Sequence, residues 1–535
     1  MHATIIEYSK NYTKPAGFHP SYGTAGFRAE ASLLDSTIFR CGLLMAIRSL
    51  QTKQVTGLCI TASHNHIADN GIKMVEPNGE MLVQQFEPMA NAFANAETDA
   101  DLAQLVMNEI NSLTDVAQHR ASATVLIAYD TRPSGPRLAA AAAAGVKALG
   151  GSPELLGLLT TPQLHWAVMR TNQNLPRDDK DYVREFSSAF AGLSAGTIRR
   201  VLHVDCANGV GGVKLPAFLS HLKQSGLELV LHNVGNGILN QACGSDYVQK
   251  ERQIPEEFDD VPVGEACCAI DGDADRLIFF YRTNSDSKDI VLLDGDKIAA
   301  LIAILVCELV KELPEPLSHS SVGVIQTAYA NGASSAYLRD VIGCDVKVTP
   351  TGVKHLHEAA HAYNAGIYFE ANGHGTVIFQ PSFLAALQRL SPTSKAASEL
   401  LALNGVVNPA VGDAISGILL VEAALRRKGW DLQHWASLYL DLPSRQLKVR
   451  VADRSVIKTT DAERKVAEPL GMQQQIDAVV SKFPNLGRSF VRPSGTEDVV
   501  RVYAEAQTQQ EADDLAREVA LLVYTSAGGV APFPQ

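Results

Sequence analysis

Short apolar runs that end in polar loops recur along the chain, and most are followed by a stretch of helical periodicity. Residues 57–61 (GLCIT) lead into Ala62-Ser63-His64-Asn65. Residues 124–129 (TVLIAY) lead into Asp130-Thr131-Arg132-Pro133 and then a helix over 137–149, closed by Gly150-Gly151, since glycine is favoured just past a helix end. With the next apolar run at 155–159 this predicts a βαβ unit. Residues 175–196 are polar and irregular apart from one amphipathic piece, and read as a linker. Beyond it the pattern predicts a strand at 201–204, a glycine-rich turn at 208–212, a helix over 215–225 and a strand at 227–231. A nucleotide-binding reading of that turn fails, because Lys214 stands where a third glycine belongs and no acidic partner follows at the right distance. Ordinary βαβ packing is the better reading.

A third unit runs from a helix over 297–313 through segments at 322–326, 333–340, 345–348 and 353–362 to a strand at 366–369. The last part reads differently. Residues 447–451 alternate, 464–483 read as largely helical, 489–491 and 499–506 as strands, and 511–523 as an amphipathic helix. In that helix Ala512, Leu515, Ala516, Val519, Leu522 and Val523 keep to one face. The expected domains are 1–175, 176–292 and 293–440, all α/β, and 441–535, a smaller α+β domain. At roughly 150 residues per domain, 535 residues agree with this division.

Composition narrows the partners. Hydrophobic residues make up 46% and charged residues 19%, enough apolar surface for large cores and too little charge for a disordered chain. With 58 acidic against 46 basic residues the net charge is −12, which argues against a nucleic-acid partner that needs a basic stripe. No apolar run reaches the ~18 residues of a membrane span, and residues 1–10 do not resemble a secretory signal. The 8 cysteines follow no metal or disulfide spacing, so a reducing, cytoplasmic location is expected.

Four loops carry chemistry. Ser63 follows a buried strand, where open α/β sheets place ligands. Alone, though, it reads as a turn serine, and serine is a weak nucleophile without a base or a metal. Asp271-Gly272-Asp273-Ala274-Asp275-Arg276 sets three carboxylates between two apolar runs. Their mutual repulsion points to a hard divalent cation held by oxygen ligands, in a spacing that is not an EF-hand. Glu370-Ala371-Asn372-Gly373-His374-Gly375 offers a carboxylate, an amide and an imidazole suited to a polyol; Asn-Gly is also a common turn dipeptide. Arg492-Pro493-Ser494-Gly495-Thr496, with Arg501 beyond, has the parts of an oxyanion cradle or of an ordinary hairpin loop.

Tyr22-Gly23-Thr24-Ala25-Gly26-Phe27-Arg28, TASHN at 61–65, DNGIK at 69–73, DGDADR at 271–276, FEANGHGT at 369–376 and RPSGTED at 492–498 occur in the order found in the α-D-phosphohexomutases. The chain resembles that family along essentially its whole length. Within it, the sugar loop at 370–375 and the stretches at 411–416, 441–446 and 459–464 look like the eukaryotic phosphoacetylglucosamine mutases. The resemblance implies three α/β domains and an α+β domain around a central cleft. It also implies interconversion of N-acetylglucosamine 6-phosphate and N-acetylglucosamine 1-phosphate on the route to UDP-N-acetylglucosamine, through a phosphoserine enzyme and a hexose 1,6-bisphosphate. Ser63 would carry the phosphoryl group; Asp271, Asp273 and Asp275, with an oxygen of phospho-Ser63, would hold one Mg²⁺.

Glu370, Ala371 and Asn372 match the sugar contacts of the family, and Arg492, Pro493, Ser494, Gly495, Thr496 and Arg501 its distal phosphate loop. Arg28, Lys73, Arg276 and His374 fall near the phosphoserine. Arg28 and Arg276 suit charge stabilisation, whereas Lys73 or His374 could exchange a proton, with Lys73 favoured. His66 stands where the family has proline, a change expected to be tolerated at the surface. Competing readings are a phosphoglucomutase or phosphomannomutase of the same fold, and a phosphatase in which water discharges phospho-Ser63.

Overall fold

The computed structural model describes residues 1–23, 26–113, 123–194, 199–494 and 498–533. Two compact units form: residues 1–294 with 372–376 and 390–432, and residues 295–371 with 377–389 and 433–535.

The first unit holds two five-stranded sheets. One has the order Phe27–Glu30, Asp69–Val75, Thr56–Ile60, Thr124–Tyr129, Ser152–Leu158. Thr56–Ile60 lies parallel to Thr124–Tyr129 and antiparallel to Asp69–Val75. Every residue of Thr56–Ile60 is buried, as expected of a central strand covered by helices. The second sheet has the order Ile290–Leu293, Leu277–Arg282, Cys267–Ile270, Arg200–Asp205, Leu227–His232. Its glycine-rich turn at 208–212 starts a short helix, Val210–Lys214, and the Val210 N–H donates to the Gly272 carbonyl at 2.9 Å. The turn thus packs against the acidic loop, as a βαβ corner would.

Of the segment expected to be a linker, the described residues 175–194 are mostly helical rather than irregular. Asp179–Ser194 is an α-helix, in which Tyr182, Phe186 and Phe190 recur every fourth residue and are fully buried. Their stripe packs against helices Lys395–Val406 and Ala414–Lys428. The Tyr182 hydroxyl donates to Asp413 at 2.5 Å. The other polar residues from Asp179 to Ser188 are at least partly exposed, Ser187 excepted, which hides the helix from a reading by composition.

A four-stranded sheet has the order Asp345–Thr349, Val322–Thr327, Ala365–Phe369, Gly375–Phe379; its first three strands are parallel and belong to the second unit. A smaller antiparallel sheet runs Ser444–Arg450, Val499–Glu505, Arg488–Pro493, and helix Gln509–Ser526 packs on it. Of the six residues expected on the helix's inner face, all but Leu522 are fully buried. Residues 464–483 are less helical than expected. Lys458–Thr460 and Lys465–Glu468 form a hairpin, and only Met472–Val480 is helix. Pro469 and Gly471 separate the two pieces, and Asp461, Ala462 and Glu463 turn the hairpin with positive φ.

Two helices of the first unit, Asp35–Thr52 and Gly135–Ala148, cross closely at glycines. A Cβ on Gly42 would lie 2.1 Å from the Ala142 carbonyl oxygen, and one on Gly145 would lie 2.0 Å from that of Phe39. Alanine at 145 gains ~1 kcal/mol of helix propensity but forces two backbones apart, which costs about 1–3 kcal/mol. Gly145→Ala is therefore expected to lower the denaturant midpoint of unfolding; a raised midpoint would contradict the crossing.

Candidate functional site

Ser63 sits three residues beyond the central strand Thr56–Ile60, buried, with φ +49°. Its N–H donates to the Thr61 hydroxyl at 3.0 Å. Its own hydroxyl donates to Asp273 Oδ2 at 3.2 Å and accepts from Arg28 Nη2 at 3.3 Å. Arg28 reaches it from the edge strand Phe27–Glu30, where it pairs with Gly71. The neighbouring His64 bridges two charges. Its Nδ1 lies 3.3 Å from Asp246 and its Nε2 3.4 Å from Arg28 Nη1. Burial holds the His64 imidazole below its ordinary pKa, against the pull of Asp246. His66 is exposed, and its Nδ1 accepts the Ala68 N–H at 3.3 Å.

The acidic loop joins strands Cys267–Ile270 and Leu277–Arg282, an antiparallel pair whose residues are nearly all buried. Register fixes the loop: Ile270 pairs with Leu277, and the N–H groups of Asp275 and Arg276 donate to Asp271 Oδ1 at 3.0 and 3.1 Å. Lys73, on the strand Asp69–Val75, places its ammonium 2.7 Å from Asp273 Oδ2 and 2.5 Å from Asp275 Oδ2. Arg276 Nε lies 3.9 Å from Asp271 and 4.0 Å from Asp275.

The protonation of the cluster follows from these neighbours. Burial, then the charges of Asp275 and Asp273, pushes the Asp271 carboxyl well above the usual range. For Asp275 burial pulls the same way, but Lys73, His374 and Arg276 outweigh it and hold the carboxyl well below that range. Asp273 is also held down: burial and Asp275 raise it, while Lys73 and the Thr161 hydroxyl, which donates at 2.6 Å, lower it further.

These residues fit a divalent cation. One carboxylate oxygen each of Asp271, Asp273 and Asp275 is buried without a hydrogen-bond partner among the described residues, and the three residues can offer ligand atoms within 4.8 Å of one another. At that separation each pair of charges repels by roughly 3–4 kcal/mol at an effective dielectric of ~20. Lys73 meets Oδ2 of Asp273 and of Asp275, which leaves the opposite oxygens, Asp273 Oδ1 and Asp275 Oδ1, without a hydrogen bond among the described residues. Hard oxygen donors converging in this way suit Mg²⁺.

Asn372 and His374 dock onto the same hairpin. Gly373 has φ +83°, and a Cβ there would lie 1.9 Å from the Leu277 carbonyl oxygen. Only glycine permits this approach. The Leu277 N–H donates to the Gly373 carbonyl at 3.2 Å, and the Asn372 side-chain oxygen accepts the His374 N–H at 2.9 Å. His374 Nδ1 lies 2.8 Å from the Asp275 carbonyl oxygen. A carbonyl only accepts, so Nδ1 carries hydrogen. Nε2 is buried and has no hydrogen-bond partner among the described residues.

In the second unit Glu370 and Ala371 follow the strand Ala365–Phe369, and the Gly295 N–H donates to the Ala371 carbonyl at 3.4 Å. The remaining predicted residues lie on the small antiparallel sheet. Arg492 pairs directly with Arg501, and Arg501 with Lys448, so three cations line up across three strands. Like charges directly opposite one another destabilise a sheet, and Glu463, 2.8 Å from Arg492, offsets one of them. Arg501 Nε is buried without a hydrogen-bond partner among the described residues, and Ser494 is buried beside the row. The arrangement suits an anion. Gly495 and Thr496 lie outside the described residues.

The first unit thus brings together Ser63, Arg28, Lys73, Asp271, Asp273, Asp275, Arg276, Asn372 and His374, while Glu370, Ala371, Arg492, Pro493, Ser494 and Arg501 belong to the second. Thr161, Asp246 and the pair Asp130–Arg132 were missed by sequence reasoning. A signal existed for two of these: Asp130 and Thr161 follow the strands Thr124–Tyr129 and Ser152–Leu158, the same strand-end position that singled out Ser63.

Three α/β sheet domains, a small α+β domain, and a buried serine facing an acidic cation loop define an α-D-phosphohexomutase, an isomerase-class enzyme. Residues 294–430 match the model described as phosphoacetylglucosamine mutase AMG1, domain III. Residues 42–101 and 91–175 match domain I, and residues 447–522 the C-terminal domain, of phosphoglucomutase/phosphomannomutase. The phosphoacetylglucosamine mutase of Sus scrofa is 48% identical over 545 residues, 99% of this chain and 98% of that protein. The chain belongs to the phosphoacetylglucosamine mutase family. A crystal structure of the Aspergillus fumigatus N-acetylphosphoglucosamine mutase with GlcNAc-6P and magnesium superposes with TM-score 0.91 at 40% identity, covering 98% of this chain and 99% of that one. A variant of that enzyme with glucose 1,6-bisphosphate gives TM-score 0.90 at 39% identity over the same shares.

Adding Mg²⁺ to metal-stripped protein is expected to raise its melting temperature, since a hundredfold excess over Kd contributes about 2.7 kcal/mol. In Asp273→Ala the shift should vanish. An undiminished shift in that variant would place the cation elsewhere.

Proposed function

We propose that this chain interconverts N-acetylglucosamine 6-phosphate and N-acetylglucosamine 1-phosphate through phospho-Ser63 and a 1,6-bisphosphate, on the route to UDP-N-acetylglucosamine. The observation that carries the reading is the Ser63 hydroxyl 3.2 Å from Asp273, in a cluster that keeps three buried carboxylate oxygens without hydrogen-bond partners among the described residues. Asp271, Asp273 and Asp275, with an oxygen of phospho-Ser63, would hold Mg²⁺, which when bound neutralises charge on the transferring phosphoryl group.

In the first half-reaction the bond between phosphorus and Ser63 Oγ breaks as a bond to the free sugar hydroxyl forms. Arg28, 3.3 Å from Oγ, stabilises the charge that develops there, and Arg276 adds a fixed positive charge beside the acidic loop. Lys73 shares Asp273 Oδ2 with the Ser63 hydroxyl, so its ammonium is placed to protonate Oγ as serine is released. His374, with Nδ1–H committed to the Asp275 carbonyl, keeps Nε2 to accept the proton of the sugar hydroxyl. The bisphosphate turns over, and the same groups run the reverse transfer from its other phosphate. Glu370 accepts from sugar hydroxyls, with Ala371 and Asn372 beside it. Arg492, Pro493, Ser494, Gly495, Thr496 and Arg501 hold the phosphate that is not being transferred.

No helix of the described residues is long and apolar enough to cross a membrane. The 8 cysteines are all free and buried, which supports a cytoplasmic home for the enzyme.

Ser63→Ala is expected to abolish turnover even with the 1,6-bisphosphate supplied, while circular dichroism stays native; full activity would remove Ser63 from the mechanism. Arg492→Ala is expected to raise KM for the sugar phosphate about tenfold or more, the loss of one charge-assisted contact, with little change in melting temperature. An unaltered KM would remove the arginine row from substrate binding. Turnover of N-acetylglucosamine 1-phosphate should exceed that of glucose 1-phosphate, and a clear preference for glucose would transfer the chain to the phosphoglucomutase reading.

A further inference from the structure

Ser63 is held at both ends of its backbone, by groups distinct from those that touch its hydroxyl. Its φ of +49° lies in the left-handed region that non-glycine residues rarely adopt. On one side its N–H is tied to Thr61, whose hydroxyl in turn donates to Asp130 at 2.7 Å. On the other side its carbonyl oxygen accepts from Arg132 Nη2 at 3.1 Å and from Asn240 Nδ2 at 2.9 Å. The same two donors also reach the Asn65 carbonyl, at 2.8 and 3.1 Å. They clamp both ends of the turn that carries Ser63.

The two donors come from different sheets. Arg132 follows the strand Thr124–Tyr129, its side chain is fully buried, and Asp130 fixes its guanidinium by an ion pair. Asn240 lies between Leu227–His232 and Cys267–Ile270, with its N–H donating to the Ala207 carbonyl at 3.0 Å. Gly272 of the acidic loop closes the remaining side: a Cβ there would lie 2.7 Å from the Ser63 carbonyl oxygen and 3.1 Å from Asn240 Nδ2. The Ser63 peptide is thus wedged between its own sheet and the loop that must meet its hydroxyl. Freed of the two donors, the peptide could rotate toward the right-handed region and carry Oγ away from Asp273.

We propose that Arg132 and Asn240 are positioning residues for phosphoryl transfer. They fix the Ser63 carbonyl, and with it the left-handed backbone that presents Oγ to Asp273 and Arg28. The inference rests on the reading of Ser63 as the phosphoryl carrier. It predicts a signature that loss of stability alone does not give. Sugar-phosphate binding should persist while transfer slows, because small misplacements of reacting groups cost rate rather than affinity.

The test measures kcat and KM with N-acetylglucosamine 6-phosphate, glucose 1,6-bisphosphate and Mg²⁺, with melting temperature alongside, for Asn240→Ala, Asn240→Asp, Arg132→Lys and Ser63→Ala. Asn240→Asp keeps the shape and removes the donor. Arg132→Lys keeps a charge beside Asp130 but cannot fork to two carbonyls. The expected result is a fall in kcat of about tenfold or more in the three positioning variants, with KM within about twofold and a native melting temperature. Asn240 is only part-buried, so its variants decide the matter should the arginine variant not fold. Native kcat in folded Asn240→Asp would overturn the inference, as would a raised KM with unchanged kcat. Ser63→Ala separates the two levels. If it is inactive while the Asn240 variants are native, only the positioning role falls; if it is active, the reading of Ser63 itself falls.

Discussion

Three buried carboxylates crowded on one short loop organise the first unit, each with an oxygen left without a hydrogen-bond partner among the described residues. Asp271, Asp273 and Asp275 stand on a hairpin whose strands are buried, so the loop cannot swing into water to relieve their repulsion. Lys73, Arg276, His374, Thr161 and Ser63 are what the fold offers in compensation, and each comes from a different segment. The cation row on the small sheet, Lys448, Arg501 and Arg492, is the opposite arrangement in the second unit. Each cluster is costly alone, and each becomes reasonable once a ligand of opposite charge is part of the state that functions. An acidic chain with net charge −12 can therefore serve an anionic substrate, because overall charge constrains non-specific partners and says little about a local site.

Close backbone approach is the second constraint. Gly272 against the Ser63 carbonyl, Gly373 against Leu277, and Gly42 and Gly145 at the helix crossing all place a missing Cβ where another backbone lies. At 272 and 373 the approach fixes where a chemical group stands: the acidic loop against the Ser63 peptide, and His374 against the Asp275 carbonyl. The precision of the site thus depends on backbone contacts that leave no room for a side chain at 272 or 373.

Much of this was legible in the sequence because the relevant signals are local. The strand Thr124–Tyr129 coincides with its apolar run, and the acidic loop announced a cation because three charges sat between two hydrophobic runs. What stayed hidden depends on distant partners. Helix Asp179–Ser194 mixes polar and apolar residues evenly and is held by a stripe that makes sense only once the helices after residue 390 pack on it. The hairpin at 458–468 lost to a helical pattern because its turn uses three successive left-handed residues. Asn240 had no sequence signal and Arg132 only its place in the loop after the strand Thr124–Tyr129; they meet the Ser63 carbonyl across separations of 177 and 69 residues. For the four loops of the candidate site, single motifs left alternatives open, and their order along the chain decided among them.

The claim on which the account turns is that Ser63 carries the phosphoryl group and passes it to the sugar. The most direct measurement charges the protein with labelled glucose 1,6-bisphosphate, maps the modified residue by mass spectrometry, and then adds N-acetylglucosamine 6-phosphate. The account predicts an excess of roughly 80 Da, one phosphoryl group, on Ser63, discharged into N-acetylglucosamine 1,6-bisphosphate. Label on another residue, or label released only as inorganic phosphate, would contradict it.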